Sequence, residues 1–344
     1  MRILFLDRST KLGNVTELER KARGGMVSSL FRVSDFLAKA GHQVFVLSDI
    51  QSAGKTKAGT IWTHEYFGEY DFLVCNRGTH DGYPDIRAKR RILWTHDLPH
   101  NGFIPEPKTV KAFACTVFMS KYAEGIWRTF YKDIGRSVVI PNGVDDVFGP
   151  RPVRDLGYLI YASAPNRGLQ KLPLIFDAIR ARAKRPVRMK AFSRLSVSHP
   201  QEVGSGDTFD YKAIEDSSVE LSDPIPQAAF AEELGRAGLM ILPSGYPEIC
   251  SNVVLQALAS GTPIITTGRL GATPEWVKHL RNGMLTTYQP HDYMVHTLEI
   301  VRSAVEVLDN EKLHRALIVG ALATRVPSWQ EIGKSWLKML RRFS

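Results

Sequence analysis

The feature that most constrains this chain is a rhythm. Short apolar runs of strand length alternate with amphipathic stretches of helical spacing along most of its length. Ile3–Leu6, Gln43–Leu47, Asp71–Cys75, Arg91–Trp94, Thr116–Met119 and Ser137–Ile140 read as strands. Val27–Ala40 places Val27, Leu30, Phe31, Val33, Phe36 and Leu37 at helical spacing, Gly41-His42 ends that helix, and Lys121–Tyr131 reads as another. Strand, helix, strand in succession builds a parallel sheet with helices on both faces. The Pro-, Gly- and Asp-rich segment 141–154 interrupts the pattern, which then restarts. Strands are expected at Tyr158–Ala162, Val187–Phe192, Val219–Leu221, Leu239–Leu242 and Pro263–Thr266, and helices at Lys171–Arg182, Ala228–Ala237 and Asn252–Ser260. The tail from Tyr293 to Leu340 reads as helical, broken at Pro327. The fold class expected is α/β: two doubly wound, Rossmann-like domains, 1–150 and 151–324. Ligands of such sheets bind beyond the carboxyl ends of the strands, so two facing domains would enclose a cleft.

Composition narrows the class without choosing a function. Hydrophobic residues are 44% and charged residues 23% of 344, an ordinary globular balance that excludes wholesale disorder, collagen and coiled coil. No run approaches the ~18 apolar residues of a membrane-spanning helix. The segment MRILFLDRST reads as a first strand rather than a secretory signal. Three widely spaced cysteines, Cys75, Cys115 and Cys250, form no CxxC pair and fit a reducing, cytoplasmic setting. The unusual bulk property is charge: 45 Lys and Arg against 35 Asp and Glu, a net of +10. Such an excess suits a polyanionic partner: nucleotide phosphate, nucleic acid or an anionic membrane face.

The most informative segment is LPSGYPEICSNVVLQALASGTPIITT, residues 242–267. A strand ends at Leu242, and a Pro/Ser/Gly/Tyr/Pro loop carries Glu248. Ser251 or Asn252 can cap a helix that Gly261 ends, and Pro263 opens the next strand. The N-terminus of that helix, at Ser251, Asn252 and Val253, is of the kind that receives an anion, because its backbone N–H groups and dipole favour phosphate. Glu248 before the helix and Gln256 on it can bind a sugar hydroxyl and a ribose on either side of a diphosphate.

This segment resembles the donor-binding motif of glycosyltransferase family 4, whose members have the GT-B fold. Pro243-Ser244, Glu248, Ala257-Leu258-Ala259, Gly261 and Pro263 match in order, whereas the family's second Glu is replaced by Gln256. The resemblance implies that Glu248 contacts the donor sugar and Gln256 the ribose; a glutamine amide can still donate to and accept from hydroxyls. It extends along the chain. Gly24-Gly25 resembles the family's glycine-rich loop, KAGHQVFV its Gly-His-x-Val second strand, and Pro141-Asn142-Gly143-Val144-Asp145 its domain junction. In SAPNRGL, Arg167-Gly168 stands where the family has Lys-Gly, and the earlier Arg is missing. Arg167 is therefore expected on the donor diphosphate, with Lys171 as a helper. His96 and Asp97, at the end of a first-domain strand, are the candidates for contact with sugar and acceptor or for proton movement. Arg194, Pro224 and Ile225 are placed near the nucleotide, and Ser120 near the cleft. The C-terminal helix, about 325–344, is expected to pack back on the first domain.

The resemblance implies a retaining, metal-independent glycosyltransferase that uses a UDP- or GDP-linked sugar as substrate, with no cofactor. The expected acceptor is a carbohydrate or glycolipid, with peripheral contact to an anionic membrane compatible with the charge. Two alternatives stand beside it: a transferase acting on a modified DNA base, and a nucleotide-sugar-binding protein without turnover. No aromatic-interleaved basic stripe of the kind that binds single strands supports nucleic acid.

Overall fold

The computed structural model describes residues 1–7, 13–20, 25–99, 104–193, 209–287 and 293–344. The chain divides into two compact units, Met1–Gly143 with Pro327–Ser344 and Val144–Val326.

The first unit is built on an eight-stranded sheet of β1 (Arg2–Asp7), β2 (Gln43–Leu47), β3 (Gly54–Lys55), β4 (Ile61–Thr63), β5 (Glu69–Asn76), β6 (Arg87–Trp94), β7 (Cys115–Phe118) and β8 (Ser137–Val139). Their order is β3-β4-β2-β1-β5-β6-β7-β8, and every pair is parallel except β3 with β4. Helices α1 (Val15–Arg20), α2 (Gly25–Lys39), α3 (Pro107–Ala112) and α4 (Lys121–Tyr131) belong to the same unit. Central parallel strands are covered on both faces and need continuous apolar sequence; Ile3, Leu4 and Phe5 of β1 are fully buried. Strand β6 begins at Arg87, earlier than its apolar run. Pairing of Glu69 with Arg87 and onward extends the ladder through residues whose side chains reach water.

The second unit holds β9 (Asp155–Ala162), β10 (Arg188–Phe192), β11 (Glu220–Ser222), β12 (Ala237–Leu242), β13 (Ile264–Thr267) and β14 (Gly283–Thr286), all parallel, in the order β11-β10-β9-β12-β13-β14. Its helices are α5 (Leu172–Arg180), α6 (Lys212–Glu215), α7 (Gln227–Arg236), α8 (Asn252–Ala259), α9 (Thr273–Trp276), α10 (Tyr293–Asp309) and α11 (Glu311–Leu322). Strand β14 was not expected. It is a four-residue edge strand with no apolar run of its own, held by pairing with β13. The helical tail also breaks at Asn310, whose side chain accepts from the Leu313 amide and restarts the chain as α11.

The last helix, α12 (Trp329–Phe343), belongs to the first unit. It opens with a capping box: the Ser328 hydroxyl accepts from the Glu331 amide, and the Glu331 carboxylate from the Ser328 amide. Its buried face of Ile332, Trp336, Met339 and Leu340 joins the core of β1, β2 and α2, with Trp336 against Phe5 and Trp94. Among the described residues no helix is long and apolar enough to cross a membrane.

Candidate functional site

In each sheet the strand order reverses once beside the first strand of the unit, between β1 and β5 and between β9 and β12. Such a switch point sends the two following loops to opposite faces and leaves a crevice beyond the carboxyl ends of the strands. In the second unit those loops are 163–171 after β9 and 243–251 after β12, the two segments that carry the strongest sequence motifs.

Two glycines let these loops approach. Gly168 has φ +101, and a Cβ there would lie 2.5 Å from the Pro243 carbonyl oxygen. Gly271, at φ +77, backs the other side, where a Cβ would lie 2.5 Å from the Glu248 carbonyl oxygen. That oxygen accepts from the Ala272 amide at 2.6 Å. The Ser244 hydroxyl accepts from the Tyr246 amide at 3.1 Å and closes the turn between them. Glu248 is thus positioned by backbone on both sides.

At the centre, Arg167 Nε donates to Glu248 Oε1 at 2.7 Å, and Arg167 Nη1 to Asn166 Oδ1 at 2.9 Å. The guanidinium lies over the Tyr246 ring, 3.5 Å from its centroid, a cation–π contact that fixes its plane. About a fifth of each partner's side chain is exposed, 19% and 18%. Burial pushes the Glu248 carboxyl up while the Arg167 charge pulls it down, and the upward push prevails. Two of the five guanidinium donors are engaged, so the group retains capacity for phosphate oxygens.

Helix α8 begins beside this pair in sequence. Ser251 is its N-cap residue, but its side chain makes no capping hydrogen bond, and no acidic residue stands in the first turn. Ser251, Asn252 and Val253 are half-buried. Ser251 therefore does not supply the side-chain cap, and its own hydroxyl does not occupy the backbone amides of the first turn. Gln256 Nε2 donates to Gln227 Oε1 at 2.8 Å, which ties α8 to α7. Pro224 is exposed and Ile225 half-buried in the loop before α7.

Lys171 is not gathered with Arg167. Its side chain is buried, with Nζ 3.3 Å from His296 Nδ1 and over the Tyr293 ring. Burial lowers its pKa. His296 is fully buried, its Nε2 is 3.0 Å from the Thr267 hydroxyl, and burial with the Lys171 charge takes its pKa to about 4. The Thr267 hydroxyl donates to the Ser244 carbonyl at 2.6 Å. Lys171 thus supports the Ser244 loop from behind instead of reaching a ligand as a mobile charge.

The first-unit candidates also differ from expectation. His96 was assigned a pKa suited to proton movement, but it is buried against Trp94, with ring centroids 4.6 Å apart. Burial, helped by the Arg77 charge, takes its pKa to about 3, which favours the neutral ring. Its Nε2 is buried without a hydrogen-bond partner among the described residues. Asp97 accepts from Arg77 Nε at 2.9 Å, so its carboxylate is already paired. Ser120 is a structural cap whose hydroxyl accepts from the Ala123 amide at the start of α4. Gly25 is the first residue of α2. Gly24 and Arg194 lie outside the described residues.

Sequence reasoning missed Tyr246, Arg77 and Gly271. Tyr246 lies inside the motif loop, but its role depends on Arg167, a residue on another strand's loop. Arg77 occupies φ 62, a backbone region that a non-glycine residue seldom adopts and that no sequence pattern announces. Gly271 follows an unremarked turn after β13.

Residues 186–303 match a family model described as glycosyl transferases group 1. No curated protein matches the chain. Among solved structures it resembles sucrose-phosphate synthase from Thermosynechococcus elongatus, with TM-score 0.76 and 14% identity over 100% of this chain and 99% of that one. It resembles WaaG, a glycosyltransferase involved in lipopolysaccharide biosynthesis, with TM-score 0.69 and 11% identity over 98% and 99% of the two chains. It also resembles Anabaena HepE, crystallised with UDP and glucose, with TM-score 0.67 and 15% identity over 99% of each chain. At these identities the likeness shows the fold.

Proposed function

We propose that this chain, which has the GT-B fold and carries a glycosyl transferases group 1 domain over residues 186–303, transfers a sugar from a nucleoside-diphosphate sugar to a hydroxyl of a carbohydrate or glycolipid acceptor. The observation that carries this reading is the Arg167–Glu248 pair at the β9/β12 switch point, stacked on Tyr246 and followed in sequence by a helix start without a side-chain cap. Each member waits for a complementary part of one donor. The diphosphate competes for Arg167; the sugar hydroxyls donate to the Glu248 carboxylate once its partner turns away.

The chemistry follows from charge. Cleaving the anomeric C–O bond leaves negative charge on the diphosphate oxygen. The backbone amides at the start of α8 and Arg167, once it exchanges Glu248 for the diphosphate, stabilise that charge. This provides for the leaving group without a metal ion, and the matching motif implies retention at the anomeric carbon. The neutral His96 is suited to orienting a hydroxyl by hydrogen bonding. HepE binds UDP and glucose, which supports a uridine or similar nucleotide donor here.

A thermal-shift screen with UDP, GDP and their glucose and mannose conjugates tests the donor assignment. A ligand at 100 times its Kd should stabilise the second unit by about 2.7 kcal/mol. Transfer assays with and without EDTA, and anomeric analysis of the product by NMR, then test metal independence and retention. No stabilisation by any nucleotide would overturn the reading.

A further inference from the structure

The first unit contains a pocket of about 300 Å³, at the small end of the range of ligand sites. His80 and Asp81 from the loop after β5, Arg91 on β6, Lys108 and Thr109 on α3, and Phe113 line it. Arg91 is half-buried, and its Nε is buried without a hydrogen-bond partner among the described residues; the same holds for Nδ1 of His80. Among the described residues no carboxylate forms an ion pair with Arg91. A guanidinium drawn partly from water, with its Nε unbonded and no carboxylate in ion-pair contact among the described residues, costs free energy that a bound anion would recover.

The other charges at the pocket leave room for that anion. Lys108 is paired with Glu106, at 2.8 Å, with 84% and 67% of the side chains exposed, and such a contact is weak. Asp81 is exposed and accepts from the Thr79 hydroxyl. The His80 ring stands edge-on to Phe113, with centroids 6.4 Å apart and planes at 88°, which holds its orientation. Burial and the Arg91 charge lower the His80 pKa, against the pull of Asp81, so its ring is neutral and can take up a proton when an anion arrives.

We infer that this pocket binds a phosphate monoester, held by Arg91, Lys108 and His80. Two cations and an imidazole line it from three segments, beside the Asp81 carboxylate, and this excess of positive groups suits a dianion with three terminal oxygens. A carboxylate would be satisfied by the arginine fork alone. The charge distribution agrees. Met1–Gly143 with Pro327–Ser344 contains 25 Lys and Arg against 15 Asp and Glu, whereas Val144–Val326 contains 20 of each. The inference rests on the transferase reading only in making the phosphate part of the acceptor. Its test uses no donor, so either can fail alone.

The full chain, isotopically labelled at histidine, is titrated with inorganic phosphate and with glucose 6-phosphate while the His80 ring signals are followed by NMR. Both should shift those signals and raise the His80 pKa. Arg91→Gln should weaken binding roughly tenfold or more, the loss of a charge-assisted hydrogen bond, whereas Arg90→Gln, exposed on the same strand, should leave it intact. Phosphatidylcholine vesicles with and without phosphatidic acid distinguish the sources. Retention on phosphatidic acid that Arg91→Gln abolishes assigns a lipid headgroup, and glucose 6-phosphate binding without retention assigns a soluble ligand. A His80 signal unmoved by every probe, or equal loss in Arg91→Gln and Arg90→Gln, overturns the inference. Should Arg91→Gln not fold, Lys108→Glu on the exposed face of α3 must abolish the shift for the inference to stand.

Discussion

Both units carry an arginine–carboxylate pair between loops at the carboxyl ends of two adjacent strands, Arg77–Asp97 in the first and Arg167–Glu248 in the second. The first joins the loops after β5 and β6, one strand away from its sheet's reversal; the second joins the loops after β9 and β12, at the reversal itself. At the first unit's own reversal the strand ends are closed instead by Asn76 donating to Asp7 at 2.9 Å. Among the described residues only the second pair is stacked on an aromatic ring, and it is followed in sequence by a helix whose N-cap residue, Ser251, makes no capping bond. The same residue types at the same end of the same kind of sheet thus stand in different surroundings. In the proposed function that difference sets two purposes, the second pair opening for the donor and the first tying two loops together.

The largest expected effect separates those purposes directly. Arg167→Ala should lower kcat/KM for transfer roughly 10²–10³-fold, as does loss of a prearranged donor to developing charge. Arg77→Ala should lower it less than about tenfold, because no contact with the donor diphosphate is proposed for it. Lysine at 167 should restore only part, since it lacks the fork geometry. Comparable losses at the two arginines would erase the distinction.

Glu248 and Gln256 divide the donor in the same scheme. Glu248→Ala should reduce turnover far more than affinity for the nucleoside diphosphate, because its proposed partner is the sugar. Gln256→Ala should weaken nucleoside diphosphate roughly fivefold, about one hydrogen bond, and turnover in proportion. Calorimetry with UDP or GDP beside initial rates reads the two apart, and equal loss of nucleotide affinity would break the division.

Each unit also holds a buried neutral histidine, His96 with its pKa near about 3 and His296 near about 4. Folded values below the ordinary 6.5 mean that the unfolded chain binds the protons first. Their contribution to stability is complete above pH 6.5 and is lost as the pH falls toward about 4 and then about 3. The limiting slope is about 1.4 kcal/mol per pH unit for each. His96→Gln should flatten that acid-side decline in urea-melt series from pH 7 to 4, and an unchanged slope would show that His96 is not buried neutral.

The smallest effect concerns helix starts. Ser120 and Ser328 cap α4 and α12 in the first unit, and their alanine variants should each lose about 1 kcal/mol. Ser251→Ala should lose less than about 0.5 kcal/mol, since that side chain makes no capping bond. A full-sized loss at Ser251 would mean that the start of α8 is closed and poorly suited to an anion.

The sequence by itself determined the α/β class, the division into two doubly wound halves and the segments that resemble the family's motif. It did so because apolar periodicity, glycine and proline punctuation and motif spacing are local properties, written within ten to twenty residues. Strand β14, the early start of β6 and the break at Asn310 escaped it, because pairing with a neighbouring strand or a single cap decided them. Only the tertiary structure decided which site residues share a place. Arg167 and Glu248 meet because the sheet sets β9 beside β12 and because Gly168 and Gly271 let the loops close. Lys171 was drawn inward to His296, and burial against the Trp94 ring favours the neutral form of His96. A side chain's charge state and partners are set by what surrounds it in space, and those neighbours come from segments that no local pattern connects.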